Sequence, residues 1–180
     1  MSIFLGAVIV ATGILALYWV FYGQSRYNEM VLPKKQAELK AILFDLDNFI
    51  VNSFEVKELK EDYANAKEVL QKVRANGIKI GLVTNKLRNE MAKILNVSEF
   101  KSYFDSVVTG DDAEKLKPYP DLVIKLCENL KVEPQESILI ASTKNDYKAG
   151  KSAGCVVAGM NAKGDFVISE LKDVLELIEN

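Results

Sequence analysis

Two aspartates one residue apart, Asp45 and Asp47, close the apolar run Ala41-Ile42-Leu43-Phe44. Two carboxylates held that close repel one another unless one is protonated or a cation lies between them. Mg2+ is the usual partner, because it takes one or two carboxylates together with waters and phosphate oxygens. A carboxylate can also attack phosphorus directly and carry the phosphoryl group itself. The plainer alternative is that the pair only ends a strand and begins a turn. Further polar side chains follow later apolar runs. Thr84 and Asn85 come after residues 78–83, Lys117 after residues 106–109, and Ser142 and Asp146 after residues 137–141. A lysine and a hydroxyl near two carboxylates would bind the remaining oxygens of a phosphate.

The composition narrows the chemistry. The chain has 180 residues and no histidine, which removes histidine general bases, Ser/His/Asp triads and histidine-ligated zinc. Acid–base work falls to Asp, Glu, Lys, Tyr or Cys. A formal charge of −2 gives no electrostatic case for nucleic acid as a partner. Cys127 and Cys155 form no CxxC pair and read as two buried thiols in a reducing compartment.

The elements that must position these groups alternate from residue 39 onward. Strands are expected at 39–44, 78–83, 106–109, 137–141 and 155–158. Helices are expected at 62–76, 87–95, 120–130, 147–153 and 169–178, with Gly77 as the C-cap of the first. Such alternation predicts an α/β fold, with a parallel five-stranded sheet covered by helices on both faces. Ligands of these folds bind at the C-terminal ends of the strands, near a topological switch point. Asp45, Asp47, Thr84, Asn85, Lys117, Ser142 and Asp146 all fall at that edge.

The first part of the chain differs in kind. Residues 3–22, "IFLGAVIVATGILALYWVFY", contain no charge. Twenty residues at 1.5 Å rise span about 30 Å, the thickness of a bilayer's hydrocarbon. Tyr18, Trp19 and Tyr22 would sit at the interface, and Arg26, Lys34, Lys35 and Lys40 follow the span. The positive-inside rule then places everything after it in the cytoplasm. The expected organisation is a membrane anchor at 1–23, a juxtamembrane linker at 24–38 and one domain at 39–180, tied to the cell membrane by a single pass.

The order of the polar groups adds specificity. "ILFDLDNFIVNS", "GLVTNK", "KPYPDLVIKLCENLKVEP" and "SILIASTKNDYKAGKSAGC" resemble, in sequence, the four motifs of the haloacid dehalogenase (HAD) superfamily. "FDSVVTGDDAEKLKPYPD" and "GDFVISELKDVLELI" are similar to its phosphoglycolate phosphatase-like branch. The resemblance covers about residues 39–178 and implies a HAD-like Rossmannoid fold of three layers. It implies Asp45 as nucleophile and Asp47 as the acid and later the base. Thr84 and Lys117 would hold the phosphoryl group, with Asn85 beside them for substrate. Mg2+ would rest on Asp45, Asp47 and Asp146.

Three departures from the family pattern stand out. Phe49 replaces a small Thr or Val, Ser142 replaces a metal-binding aspartate, and the short interval 48–61 leaves no room for a substantial cap. The expected function is a membrane-anchored, Mg2+-dependent phosphatase acting on a phosphorylated small molecule or phosphoprotein, with a protein partner able to supply a lid. The alternatives are a weak or inactive HAD-fold scaffold at the membrane, and a receiver-like domain phosphorylated on Asp45.

Overall fold

The computed structural model describes residues 38–45, 60–96 and 99–178. The apolar segment 3–22, the linker up to residue 37, and Asp47 and Phe49 lie outside the described residues. Among the described residues, no helix is long and apolar enough to cross a membrane.

The principal elements among the described residues run strand and helix in turn up to the last two strands. They are β1 (Ala41–Asp45), α1 (Lys60–Ala75), β2 (Lys79–Val83), α2 (Arg88–Asn96), β3 (Ser106–Val108), α3 (Asp121–Leu130), β4 (Ser137–Ala141), α4 (Lys144–Ala153), β5 (Val156–Met160), β6 (Phe166–Ile168) and a 3-10 helix at Leu171–Leu177. The strands form one sheet in the order β3-β2-β1-β4-β5-β6, and every pairing is parallel. The apolar runs of β1 and β4 are buried at all five positions, as expected of central strands covered on both faces. Successive residues of β1 point to opposite layers. Ile42 and Phe44 meet Ala66, Val69, Leu70 and Val73 of α1. Ala41 and Leu43 meet the layer of Leu122, Leu126 and Leu130 of α3. That layer packs so closely that a Cβ on Gly81 of β2 would lie 2.8 Å from Leu126 Cδ2.

The register aligns the site. Asp45 pairs with Val83, and Phe44 with Ile140. Asp45, Thr84 and Ser142 therefore leave the sheet at one edge. The strand order reverses between β1 and β4, so this edge is the topological switch point.

The sheet has six strands rather than the expected five. The sixth, β6, is three residues long, with Val167 exposed, so neither length nor alternation marks it. A parallel neighbour normally needs a crossover of about a dozen residues. Here five suffice, because the return passes directly over β5. A Cβ on Gly159 would lie 2.1 Å from the Ala162 carbonyl oxygen, and one on Gly164 would lie 2.4 Å from the Gly159 nitrogen. Only glycine at both positions permits that approach. Two helix expectations also change. The helix expected at 169–178 is a 3-10 helix at Leu171–Leu177. The helix expected at 147–153 starts at Lys144, because Thr143 caps it.

Cys127 and Cys155 are free and buried, as read from the sequence. The fold brings both to the Ser137 hydroxyl, with Oγ 3.8 Å from Cys127 Sγ and 3.2 Å from Cys155 Sγ. The neighbouring Cys127 thiol, together with burial, pushes the Cys155 thiol up and keeps it protonated.

Candidate active site

Among the described residues the buried polar or charged side chains are Asp45, Thr84, Thr109, Lys117, Ser137 and Asp146. Thr109 and Ser137 have local structural roles. Thr109 bonds Asp112 in a turn, and the Ser137 hydroxyl donates to the Pro134 carbonyl at 2.7 Å. The other four are residues that the motifs single out. Burying charge is expensive unless it is paired, so their placement calls for a compensating arrangement.

That arrangement centres on Lys117. Its ammonium donates to Asp45 Oδ1 and reaches Asp146 Oδ1 at 2.7 Å. Burial pushes the lysine's pKa down, but the carboxylates of Asp45 and Asp146 outweigh it, so the net direction is up and the ammonium keeps its proton. The second oxygen of Asp45 accepts from the Ser142 hydroxyl at 2.8 Å. The end of β1, the residue after β4 and the loop before α3 thus meet on the Asp45 carboxylate, and α4 joins them through Lys117.

Asp146 is placed by a helix cap. Thr143 is the N-cap of α4, and its hydroxyl accepts from the Asp146 backbone N–H at 3.2 Å. In return Asp146 Oδ2 accepts from the Thr143 backbone N–H at 2.8 Å. Asp146 therefore caps the helix with one oxygen and holds Lys117 with the other. Sequence reasoning missed Thr143, although Thr143-Lys144-Asn145-Asp146 carries the S/T-x-x-D spacing of a capping box.

Thr84 follows β2, fully buried. Its backbone N–H donates to the Val108 carbonyl at 3.1 Å, and its hydroxyl accepts from the Lys86 N–H at 3.1 Å. Asn85 faces the Lys117 loop. Its Oδ1 accepts from the Lys117 N–H at 2.9 Å, and its Nδ2 donates to the Lys117 carbonyl at 3.2 Å. The structure thus joins Asp45, Lys117, Asp146 and Ser142 directly, ties Asn85 to the backbone of Lys117, and places Thr84 at the same sheet edge. Asp47 lies outside the described residues.

Charge decides how a divalent cation would fit. Two buried carboxylates face one ammonium among the described residues, an excess of one negative charge. No group of three His, Cys, Asp or Glu side chains able to form a metal cage occurs among the described residues. The carboxylates of Asp45 and Asp146 fit Mg2+, which needs only one or two carboxylates and keeps its waters.

Residues 55–160 match the haloacid dehalogenase-like hydrolase family. The matched stretch includes Thr84, Lys117 and Asp146 and begins after Asp45. The chain is 31% identical over 134 residues to Pyrophosphatase PpaX of Bacillus cereus, covering 68% of this chain and 62% of that protein. It is 33% identical over 132 residues to Pyrophosphatase PpaX of Bacillus mycoides, covering 67% and 61%. The chain thus spans less than two thirds of the length of these curated relatives. A HAD-superfamily hydrolase of subfamily IA, variant 1, from Geobacter sulfurreducens has a similar fold, with a TM-score of 0.64 at 16% identity over 78% of this chain and 96% of that one. So does a structure described as a "predicted phosphoglycolate phosphatase" from Haemophilus somnus, with a TM-score of 0.63 at 20% identity over 81% and 99%. HAD-family phosphatases generally use Mg2+. With a parallel sheet in this order and the match over 55–160, the chain belongs to the haloacid dehalogenase-like hydrolase family.

Proposed function

We propose that the protein is a phosphatase that hydrolyses a phosphate monoester through an aspartyl-phosphate on Asp45. The observation that supports this most is the buried Asp45–Lys117–Asp146 cluster at the switch point of the sheet. The pyrophosphatase relatives add inorganic pyrophosphate as a substrate to test.

In this mechanism a carboxylate oxygen of Asp45 attacks phosphorus, and the bond from phosphorus to the leaving oxygen breaks. Lys117 holds Asp45 in one orientation and neutralises charge on the phosphoryl oxygens, to which the Thr84 hydroxyl donates a hydrogen bond. By the family resemblance Asp47 protonates the leaving oxygen. It then takes a proton from the water that attacks the aspartyl-phosphate, releasing phosphate and restoring Asp45. Mg2+, when held by Asp45 and Asp47 with Asp146 adding negative charge, would neutralise phosphate charge in both steps. Turnover of an aryl phosphate and of pyrophosphate by the full-length chain, with MgCl2 and with a chelator, tests the reading. Absence of turnover under all these conditions would refute it.

Ser142 supports a weakly held ion, since a hydroxyl supplies no charge where the family has an aspartate. Ser142→Asp is expected to raise Mg2+ affinity about tenfold or more by adding a carboxylate beside Asp45. Without Mg2+ the extra charge should destabilise the fold. Thermal melts against MgCl2 concentration read both effects, and a variant whose melting ignores Mg2+ would place the ion elsewhere.

The uncharged segment 3–22 supports anchoring in the cell membrane by one span, N-terminus out and the HAD-like domain in the cytoplasm. Protease added outside intact cells should leave residues 39–180 uncut, and their digestion would reverse the orientation. Leu87, Leu116 and Tyr119 are exposed and lie within three residues of Thr84 or Lys117. Apolar surface so near the phosphoryl site supports either a large substrate, such as a phosphoprotein, or a protein partner acting as a lid.

A further inference from the structure

Asn85 stands where a substrate contact was expected, yet both polar atoms of its side chain face protein. Oδ1 accepts from the Lys117 N–H and Nδ2 donates to the Lys117 carbonyl, at 2.9 and 3.2 Å. The two bonds fix the plane of the Asn85 amide against the backbone of a single residue. The pairing also explains the residue type. Asp has no donor and Ser is too short, so at this length only a carboxamide can accept from the N–H and donate to the C=O of one residue.

The clamp has a rigid base. Thr84 bonds to Val108 of β3, and the Gly110 N–H donates to the Lys86 carbonyl at 2.8 Å. Gly110 lies directly against Asn85, and a Cβ there would come within 2.5 Å of the Asn85 carbonyl oxygen. Lys117 by contrast lies in a loop between β3 and α3, in neither strand nor helix. Its ammonium sits at the end of a flexible four-carbon stem, so where that charge falls depends on where the backbone is held.

We propose that Asn85 is a positioning residue: it ties the Lys117 backbone to the end of β2 and so holds the ammonium between Asp45 and Asp146, where phosphate binds. The part concerning phosphate rests on the phosphatase reading. The part concerning Lys117 does not. Asn85 acts through the Lys117 backbone.

The test uses the full-length chain as wild type, Asn85→Ala, Gly110→Ala and Val167→Ala, the last an exposed change on the edge strand β6. Two quantities are measured: the dissociation constant of inorganic phosphate by calorimetry, and the position of the Lys117 ammonium in crystal structures of the variants. In Asn85→Ala phosphate should bind about ten- to hundredfold more weakly, since a displacement of about 1 Å at such a site can reduce its effectiveness a hundredfold. The Lys117 ammonium should move off Asp45 and Asp146, because its backbone is no longer tied to the end of β2. Gly110→Ala, which displaces Asn85 without removing it, should shift both quantities in the same direction, and it carries the test if Asn85→Ala does not fold. Val167→Ala should change neither. An unmoved Lys117 ammonium in both site variants would overturn the proposal, whatever happens to phosphate. A displaced ammonium in a protein that binds no phosphate would uphold the clamp and refute the phosphatase reading instead.

Discussion

Asp45→Asn is expected to abolish phosphate-ester turnover, by at least about a thousandfold, while leaving the fold intact. The fold should survive because the amide fits the same partners. Its oxygen can accept from the Lys117 ammonium, and its NH2 can donate to the Ser142 hydroxyl, which serves equally as acceptor. Chemistry should not survive, because a neutral amide cannot attack phosphorus to form the acyl-phosphate. The check compares aryl phosphate and pyrophosphate hydrolysis by wild type and variant at saturating MgCl2, alongside thermal melts. Equal rates in the two proteins would remove Asp45 from the mechanism. A variant that is inactive and also unfolded would leave the role of Asp45 to be settled by trapping the phosphorylated residue in wild type.

The second large effect is on stability. Lys117→Met keeps most of the side-chain volume but leaves Asp45 and Asp146 buried without their common cation. Removing one partner from a buried ion pair costs about 3–5 kcal/mol. In a domain of this size that corresponds to a fall in melting temperature of roughly 10 °C or more. The wild-type pH dependence follows from the lysine. The Lys117 pKa is raised above 10.5, so its contribution is complete below that pH and is lost only as pH rises through the raised value. Melting curves between about pH 7 and 11 measure this trend. A variant as stable as wild type at neutral pH would show that the cluster is not paired as described.

Much of the site was legible because this fold places chemistry at a position the sequence marks. Each buried strand is an apolar run, and each run must end where the chain meets water or ligand. Asp45, Thr84 and Ser142 could therefore be picked out as the first polar residues after three runs, and the parallel register brings them to one edge. Lys117 and Asp146 were legible from motif order. The role of Asn85 was not. "TNK" names the residue but not its partner, and that partner lies 32 residues away in a loop without periodicity. The start of α4 was legible and overlooked, since Thr143 and Asp146 have the spacing of a cap.

Local pattern alone determined the alternation of strands and helices, the absence of histidine chemistry and the family's four motifs in order. These depend on side-chain polarity at fixed spacing, which the chain carries whatever its fold. Tertiary structure decided which long-range partners those residues take. It set Lys117 between two carboxylates from β1 and α4, gave the side chain of Asn85 to the Lys117 backbone, and gathered Cys127 and Cys155 around Ser137. It also admitted β6 through a five-residue return that only Gly159 and Gly164 permit. Each of these is a contact between segments distant in sequence, fixed by packing and by the need to pair buried charge, and neither requirement leaves a periodic mark along the chain.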